Sequence, residues 1–178
     1  MDSAPANSAR HVVVMGVSGC GKSTVARRIA ERTGFLFADA DDYHSEENVD
    51  RMRRGVPLND ADRVPWLNRL AWWLAHQDRL GVSTVLACSA LRRSYRDILR
   101  SGAPTLDFVH LAGPMQVIQL RLAHRAGHYM PSSLLESQYA ALEPLQDDET
   151  GIVLDLAETP DELATDAIKR LKLPTIAG

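Results

Sequence analysis

The sequence predicts a three-layer α/β fold, a five-stranded parallel sheet with helices on both faces. Three observations predict it. Five short apolar runs recur along the chain, each bounded by turn residues and shorter than a helix needs. Stretches with helical spacing alternate with them, and that alternation is how a parallel sheet gets both faces covered. The first run leads straight into Gly16-Val17-Ser18-Gly19-Cys20-Gly21-Lys22-Ser23, a phosphate-loop pattern that belongs between a strand and a helix.

Each element follows from its residues. His11-Val12-Val13-Val14-Met15 is a β-branched run that ends at Gly16. Over residues 23–33, Val25, Ile29 and Ala30 form one stripe, and Gly34 supplies the helix stop. Phe35-Leu36-Phe37-Ala38 is the second strand, and residues 45–54 are a polar helix halted by Gly55-Val56-Pro57. Pro65 marks the start of a longer helix that runs to about Arg79 and carries Trp66, Leu67, Leu70, Trp73 and Leu74. Trp66, Trp72 and Trp73 are assigned to the core or a subunit contact, since their spacing fits a helix packed on the sheet. Residues 83–88 are the third strand, and a helix follows over 92–100. The fourth strand is 107–111, with helices over 114–125 and 131–142 separated by Gly127. Residues 152–156 are the fifth strand, and Thr159-Pro160-Asp161-Glu162 has the form of a capping box opening the last helix. Between them, Asp147-Asp148-Glu149 is expected to be a solvated loop.

Composition bounds the class. With 178 residues, 45% apolar and 24% charged, the chain is one ordinary globular domain over residues 10–178. Residues 1–9 are expected to be a disordered tail, without the basic start and apolar run of a secretory signal. A net charge of -3 argues against a nucleic-acid binder. No apolar stretch is long enough to span a membrane. Cys20 and Cys88 have no metal-ligand spacing, which fits a reducing compartment and a cytoplasmic address.

The phosphate loop carries the first chemistry. Its glycines let the backbone fold so that N–H groups converge, and the helix start adds partial positive charge. Gly16, Ser18, Gly19, Cys20, Gly21, Lys22, Ser23 and Thr24 are the expected nucleotide-binding residues, with Lys22 on the phosphates and Ser23 on magnesium. Cys20 is read as a filler at a variable position, with oxidation sensitivity as the alternative. The chain has no Asn-Lys-x-Asp guanine reader, and its third strand ends Ala87-Cys88-Ser89 without an acid. Asp39-Ala40-Asp41, after the second strand, lies at the carboxyl edge where ligands of such sheets bind. Asp39 is placed to hold magnesium-bound water, and Asp41 to accept the proton of an attacking hydroxyl. A solvated acidic turn is the alternative.

At this point the sequence resembles the gluconate kinases, small P-loop kinases of the shikimate- and nucleoside-monophosphate-kinase group. The resemblance rests on the phosphate loop, on Asp39-Ala40-Asp41-Asp42-Tyr43-His44, on Pro57-Leu58-Asn59-Asp60-Ala61-Asp62-Arg63-Val64-Pro65-Trp66-Leu67, and on Cys88-Ser89-Ala90-Leu91-Arg92-Arg93-Ser94-Tyr95. It continues through Arg121, Gly127-His128-Tyr129-Met130, Leu135-Glu136-Ser137-Gln138-Tyr139 and Leu142-Glu143-Pro144. It implies the strand order 2-3-1-4-5, a helical substrate lobe over about 43–65, a lid over about 124–133 and a homodimer. It also implies transfer of the ATP γ-phosphoryl group, with magnesium, to the 6-hydroxyl of D-gluconate. Two departures stand out: Arg92 where lysine is common, and Leu145-Gln146 after the Leu-Glu-Pro stretch.

A polyol with one carboxylate calls for a cation and several hydrogen-bonding groups, and an arginine fork fits a carboxylate. Arg63, then Arg92, then Arg51 are the candidates, with surface ion pairs as the alternative for Arg63. His44 and Ser89 are candidates for the sugar hydroxyls, or plain loop residues. By resemblance Arg125 is the lid arginine, Arg121 lies nearer the adenine, and His128 enters the lid. Gln138 either faces the substrate or is a polar surface residue. Another small P-loop kinase, such as shikimate kinase, and a nucleotide-binding module without an acceptor are the competing readings.

Overall fold

The structure is a computed structural model that describes residues 8–124 and 132–176. Five strands, β1 (His11–Met15), β2 (Leu36–Asp39), β3 (Thr84–Ala87), β4 (Asp107–Ala112) and β5 (Gly151–Asp155), form one sheet in the order β2-β3-β1-β4-β5. All neighbouring pairs are parallel, as the resemblance implies. The helices are α1 (Lys22–Thr33), α2 (Glu46–Arg53), α3 (Asp60–Arg79), α4 (Arg93–Gly102), α5 (Met115–Ala123), α6 (Ser132–Ala141) and α7 (Pro160–Arg170). Among the described residues no helix is long and apolar enough to cross a membrane.

Strand β1 is buried along its whole length, and its alternating side chains divide the interior into two cores. Val12 and Val14 pack with Val25 and Ile29 of α1 and Leu163 of α7. Val13 and Met15 pack on the other face with Leu67, Leu70 and Leu74 of α3 and Leu99 of α4. The register places Val14, Ala87 and Asp39 side by side, so the carboxyl ends of β1, β3 and β2 meet at one edge.

The structure corrects the sequence reading in four places. Helix α3 begins at Asp60, so Pro65 sits inside it rather than at its start. The helix is opened by Asn59 and Asp62 in a reciprocal capping box, and those two polar residues outweigh the proline signal. Strand β2 starts one residue late and runs into a 3₁₀ turn, Ala40–Tyr43, because the Asp39 carboxylate accepts the Asp41 N–H at 3.0 Å. Ala9 is buried rather than part of a tail, and the Arg10 N–H donates to Ser83 Oγ.

The fourth correction concerns the acidic run. Glu149 is not solvated: its side chain and that of Arg96 are both 0% exposed and pair at 2.7 Å. Arg96 also donates to the carbonyls of Ala90 and Pro144, and Arg100 adds a second cation at 2.9 Å. Burial alone would raise the Glu149 carboxyl, yet donors from Arg96, the Gln146 N–H and Arg100 hold it at about 2. Asp148, beside it, takes both nitrogens of the Arg93 fork. The paired cations come from α4, far along the chain, so local composition gave no sign of them.

Candidate active site

The phosphate loop follows β1 directly, and its first glycine is sterically required. A Cβ on Gly16, which has φ +148°, would lie 2.7 Å from Cys20 Sγ and 3.0 Å from the Leu111 carbonyl. The Gly16 N–H donates to the Ser89 carbonyl at 3.2 Å, which ties the loop to the end of β3. Gly21, in the left-handed region, occupies the cap position of α1 without a side chain to bond the first-turn N–H groups. Those donors are left for an anion. Lys22 Nζ curls back to the Val17 carbonyl at 3.2 Å. The Cys20 side chain is buried in the first core, in line with a filler role.

Beside the loop stands the acidic pair. Ser23 Oγ donates to Asp39 Oδ2 at 2.8 Å, while Asp39 Oδ1 takes the Asp41 N–H. Asp41 is left pointing into the same cavity as Lys22. Burial, followed by the neighbouring Asp39, raises its pKa above the ordinary carboxylate value of 3.8, against the pull of Lys22. Among the described residues no group of three or more His, Cys, Asp or Glu side chains stands ready to hold a metal. A hydroxyl paired with one carboxylate, next to a phosphate loop, is instead the donor set that suits magnesium shared with phosphates and water.

The cavity has a volume of about 660 Å³ and runs from the phosphate loop to the α2–α3 region. Lys22, Ser23, Asp39, Asp41, His44, Arg63, Ser89, Arg92 and Gln138 all line it. Most of the sequence-predicted residues thus come together. His44 stacks on Trp66 with ring centroids 4.0 Å apart, and Trp66 Nε1 donates to the Ala40 carbonyl at 2.7 Å. His44 Nδ1 is buried without a hydrogen-bond partner among the described residues. Burial, then Arg63 and Arg69, lowers its pKa to about 4, so the imidazole is neutral near pH 7. Gln138 faces the loop: its Oε1 accepts the Ser18 N–H at 2.7 Å and its Nε2 donates to Ser18 Oγ at 2.9 Å.

Other candidates fall elsewhere. Arg51 is paired with Glu47 and with Asp62 of the α3 cap and does not line the cavity, although its neighbour Met52 does. Arg121 lines a second cavity of about 350 Å³ with Gly21, Thr24 and Pro160, and donates to the Leu156 carbonyl. Arg125 and His128 lie outside the described residues. Trp66 was assigned to the core, and it does reach the core, but its ring is also a cavity wall. Its position three residues after Arg63, on one helix face, was the available signal. Trp72 is exposed and stacks on His76.

A family profile described as an AAA domain matches residues 12–145. A gluconokinase of Gluconobacter oxydans is 45% identical, with 92% of each chain covered. A solved gluconokinase of Sinorhizobium meliloti superposes with a TM-score of 0.85 at 42% identity, covering 94% of both chains. The chain belongs to the gluconokinase family. A solved sugar kinase of a Janibacter species is 55% identical with a TM-score of 0.89, covering 93% of this chain and 95% of that one. As a gluconokinase-family member the chain is a phosphotransferase that acts on an alcohol group, on the fold that its strand order already displays.

Proposed function

We propose that this chain transfers the γ-phosphoryl group of ATP to the 6-hydroxyl of D-gluconate, giving 6-phospho-D-gluconate and ADP. The observation that carries the reading is the convergence of a phosphate loop, a burial-raised carboxylate and two arginines on one cavity. Family membership supports the acceptor, and it disfavours shikimate kinase or a module without an acceptor.

The chemistry follows from the placement. The loop N–H groups and Lys22 receive the phosphates, and their charge favours the electron-rich transition state. Asp41 takes the proton of the attacking hydroxyl as its oxygen bonds to phosphorus and the bond to the ADP oxygen breaks. A carboxyl whose pKa is raised holds that proton better than an ordinary one. Ser23 and Asp39 would hold magnesium, which neutralises charge on the phosphate oxygens when bound. Arg63 and Arg92 take the acceptor's carboxylate, and neutral His44, on the same cavity wall, offers a ring nitrogen to a hydroxyl. Ser89 lies within reach of the same cavity, and Gln138 orders the loop.

Arg121 belongs near the adenine, in the second cavity. Arg125 and His128 enter the reading through resemblance alone, and an Arg125→Ala variant with depressed kcat supports them. The homodimer and the cytoplasmic address belong to the same reading, and sedimentation tests the first. The decisive assay measures ADP release with gluconate, shikimate and nucleoside monophosphates in parallel. Release with gluconate is the expected result. Release with shikimate or a nucleoside monophosphate instead, or hydrolysis without a phosphorylated acceptor, overturns the reading.

A further inference from the structure

The two cavity arginines converge on a single carboxylate outside the cavity. Arg63 Nη1 donates to the Tyr95 hydroxyl at 3.0 Å, and that hydroxyl donates in turn to Asp60 Oδ1. The Arg63 guanidinium carbon also lies over the Tyr95 ring, 5.5 Å from its centroid, and Arg92 Nε stands 3.9 Å from the same Asp60 oxygen. Tyr95 is only 4% exposed, its ring fixed in the second core, and neither it nor Asp60 lines the cavity.

The direction of this chain of bonds is forced. A guanidinium only donates, so the tyrosine oxygen must accept from it, and the hydroxyl proton must go elsewhere. Asp60 is the acceptor that takes it. Tyr95 is thereby locked as an acceptor aimed at Arg63, and one corner of the guanidinium fork is pinned. The remaining N–H groups have no other hydrogen-bond partner among the described residues. An untethered arginine would have to be ordered each time an acceptor bound.

We infer that Tyr95 and Asp60 are positioning residues that hold Arg63 ready for the carboxylate of the acceptor, and so set selectivity for acidic over neutral polyols. The inference rests on the proposed gluconate kinase reading and deepens it.

Steady-state kinetics with the full-length protein tests it. Tyr95→Phe removes one oxygen and raises the gluconate KM about tenfold, the value of one hydrogen bond to a charged group, while the ATP KM stays unchanged. In an Arg63→Ala background the same change adds nothing to the gluconate KM, because its route of action is gone. Asp60→Asn, on the exposed start of α3, keeps the fold if Tyr95→Phe does not and raises the gluconate KM about threefold. A Tyr95→Phe gluconate KM at the wild-type value overturns the inference. So does an equal rise in the ATP KM, or an additive effect on Arg63→Ala, since either marks a merely structural tie between α3 and α4. A wild-type protein that forms no phosphogluconate overturns the functional reading and the inference together. A wild type that forms it beside an unaffected Tyr95→Phe overturns the inference alone.

Discussion

The two ends of the main cavity are built on different plans. The nucleotide end is one uninterrupted stretch, Gly16 to Thr24, that presents mostly backbone at the start of α1. The acceptor end is assembled from His44, from Arg63 and Trp66 on α3, and from Arg92, side chains brought together from three segments and held by partners such as Tyr95 and Asp60 behind the wall. Backbone donors at a helix start recognise any phosphate, so they can be supplied by a contiguous motif. Recognition of a particular polyol acid needs side-chain groups at fixed separations, which only the tertiary fold can bring together.

That contrast can be broken or sharpened by substitution. The largest effect is expected where the two ends meet: Asp41→Asn lowers kcat by about 10²–10⁴-fold while the melting temperature stays near that of the wild type. Near-full turnover in that variant would remove Asp41 as the base. Next comes the frame behind the acceptor end. Glu149→Ala strands the buried Arg96 charge, and denaturant unfolding is expected to register a loss of about 3–5 kcal/mol. A loss below about 1 kcal/mol would put the pair in the class of exposed ion pairs.

Arg63→Ala acts on the acceptor end alone. It raises the gluconate KM by about ten- to a hundredfold, as loss of a charged hydrogen-bonding group does, with the ATP KM preserved. Parallel changes in both constants would mean that the two ends are not separable. The remaining test is the pH response. Burial lowers His44 and His110 from 6.5 to about 4, so the unfolded chain takes up protons first and stability falls as pH drops from about 6.5 to about 4. Glu149, held at about 2 against an ordinary 4.5, contributes stability that is lost below that range, as pH falls from 4.5 toward 2. Melting temperatures followed across pH check both windows, and a flat profile between 6.5 and 4.5 contradicts the first. Measured over the same pH range, the acid limb of kcat/KM is expected above the ordinary carboxylate value of 3.8, since burial raises Asp41.

The strands and the nucleotide end were legible because each is local, an apolar run or a glycine pattern, whereas the strand order came from the family resemblance alone. The acidic pair was legible for the same reason, two carboxylates next to a strand end. What escaped was pairing over long separations. Nothing near Glu149 in the sequence announces Arg96, and nothing near Arg63 announces Tyr95. Arg51 stood last of the three arginine candidates, and only the fold reveals that the α3 cap residue Asp62 had already engaged it. Pro65 misplaced a helix start because proline fits a first turn well, whereas Asn59 and Asp62 supply the cap itself.

The buried Arg96–Glu149 clamp limits where this chain can be cut and rejoined. New termini or a spliced-in tag between residues 146 and 149 would separate a charge from its counter-ion inside a closed interior, although those residues look like disposable surface. The turn at Leu80 and Gly81, exposed between α3 and β3 and on the far side of the sheet from the phosphate loop's edge, is the better opening for a circular permutant.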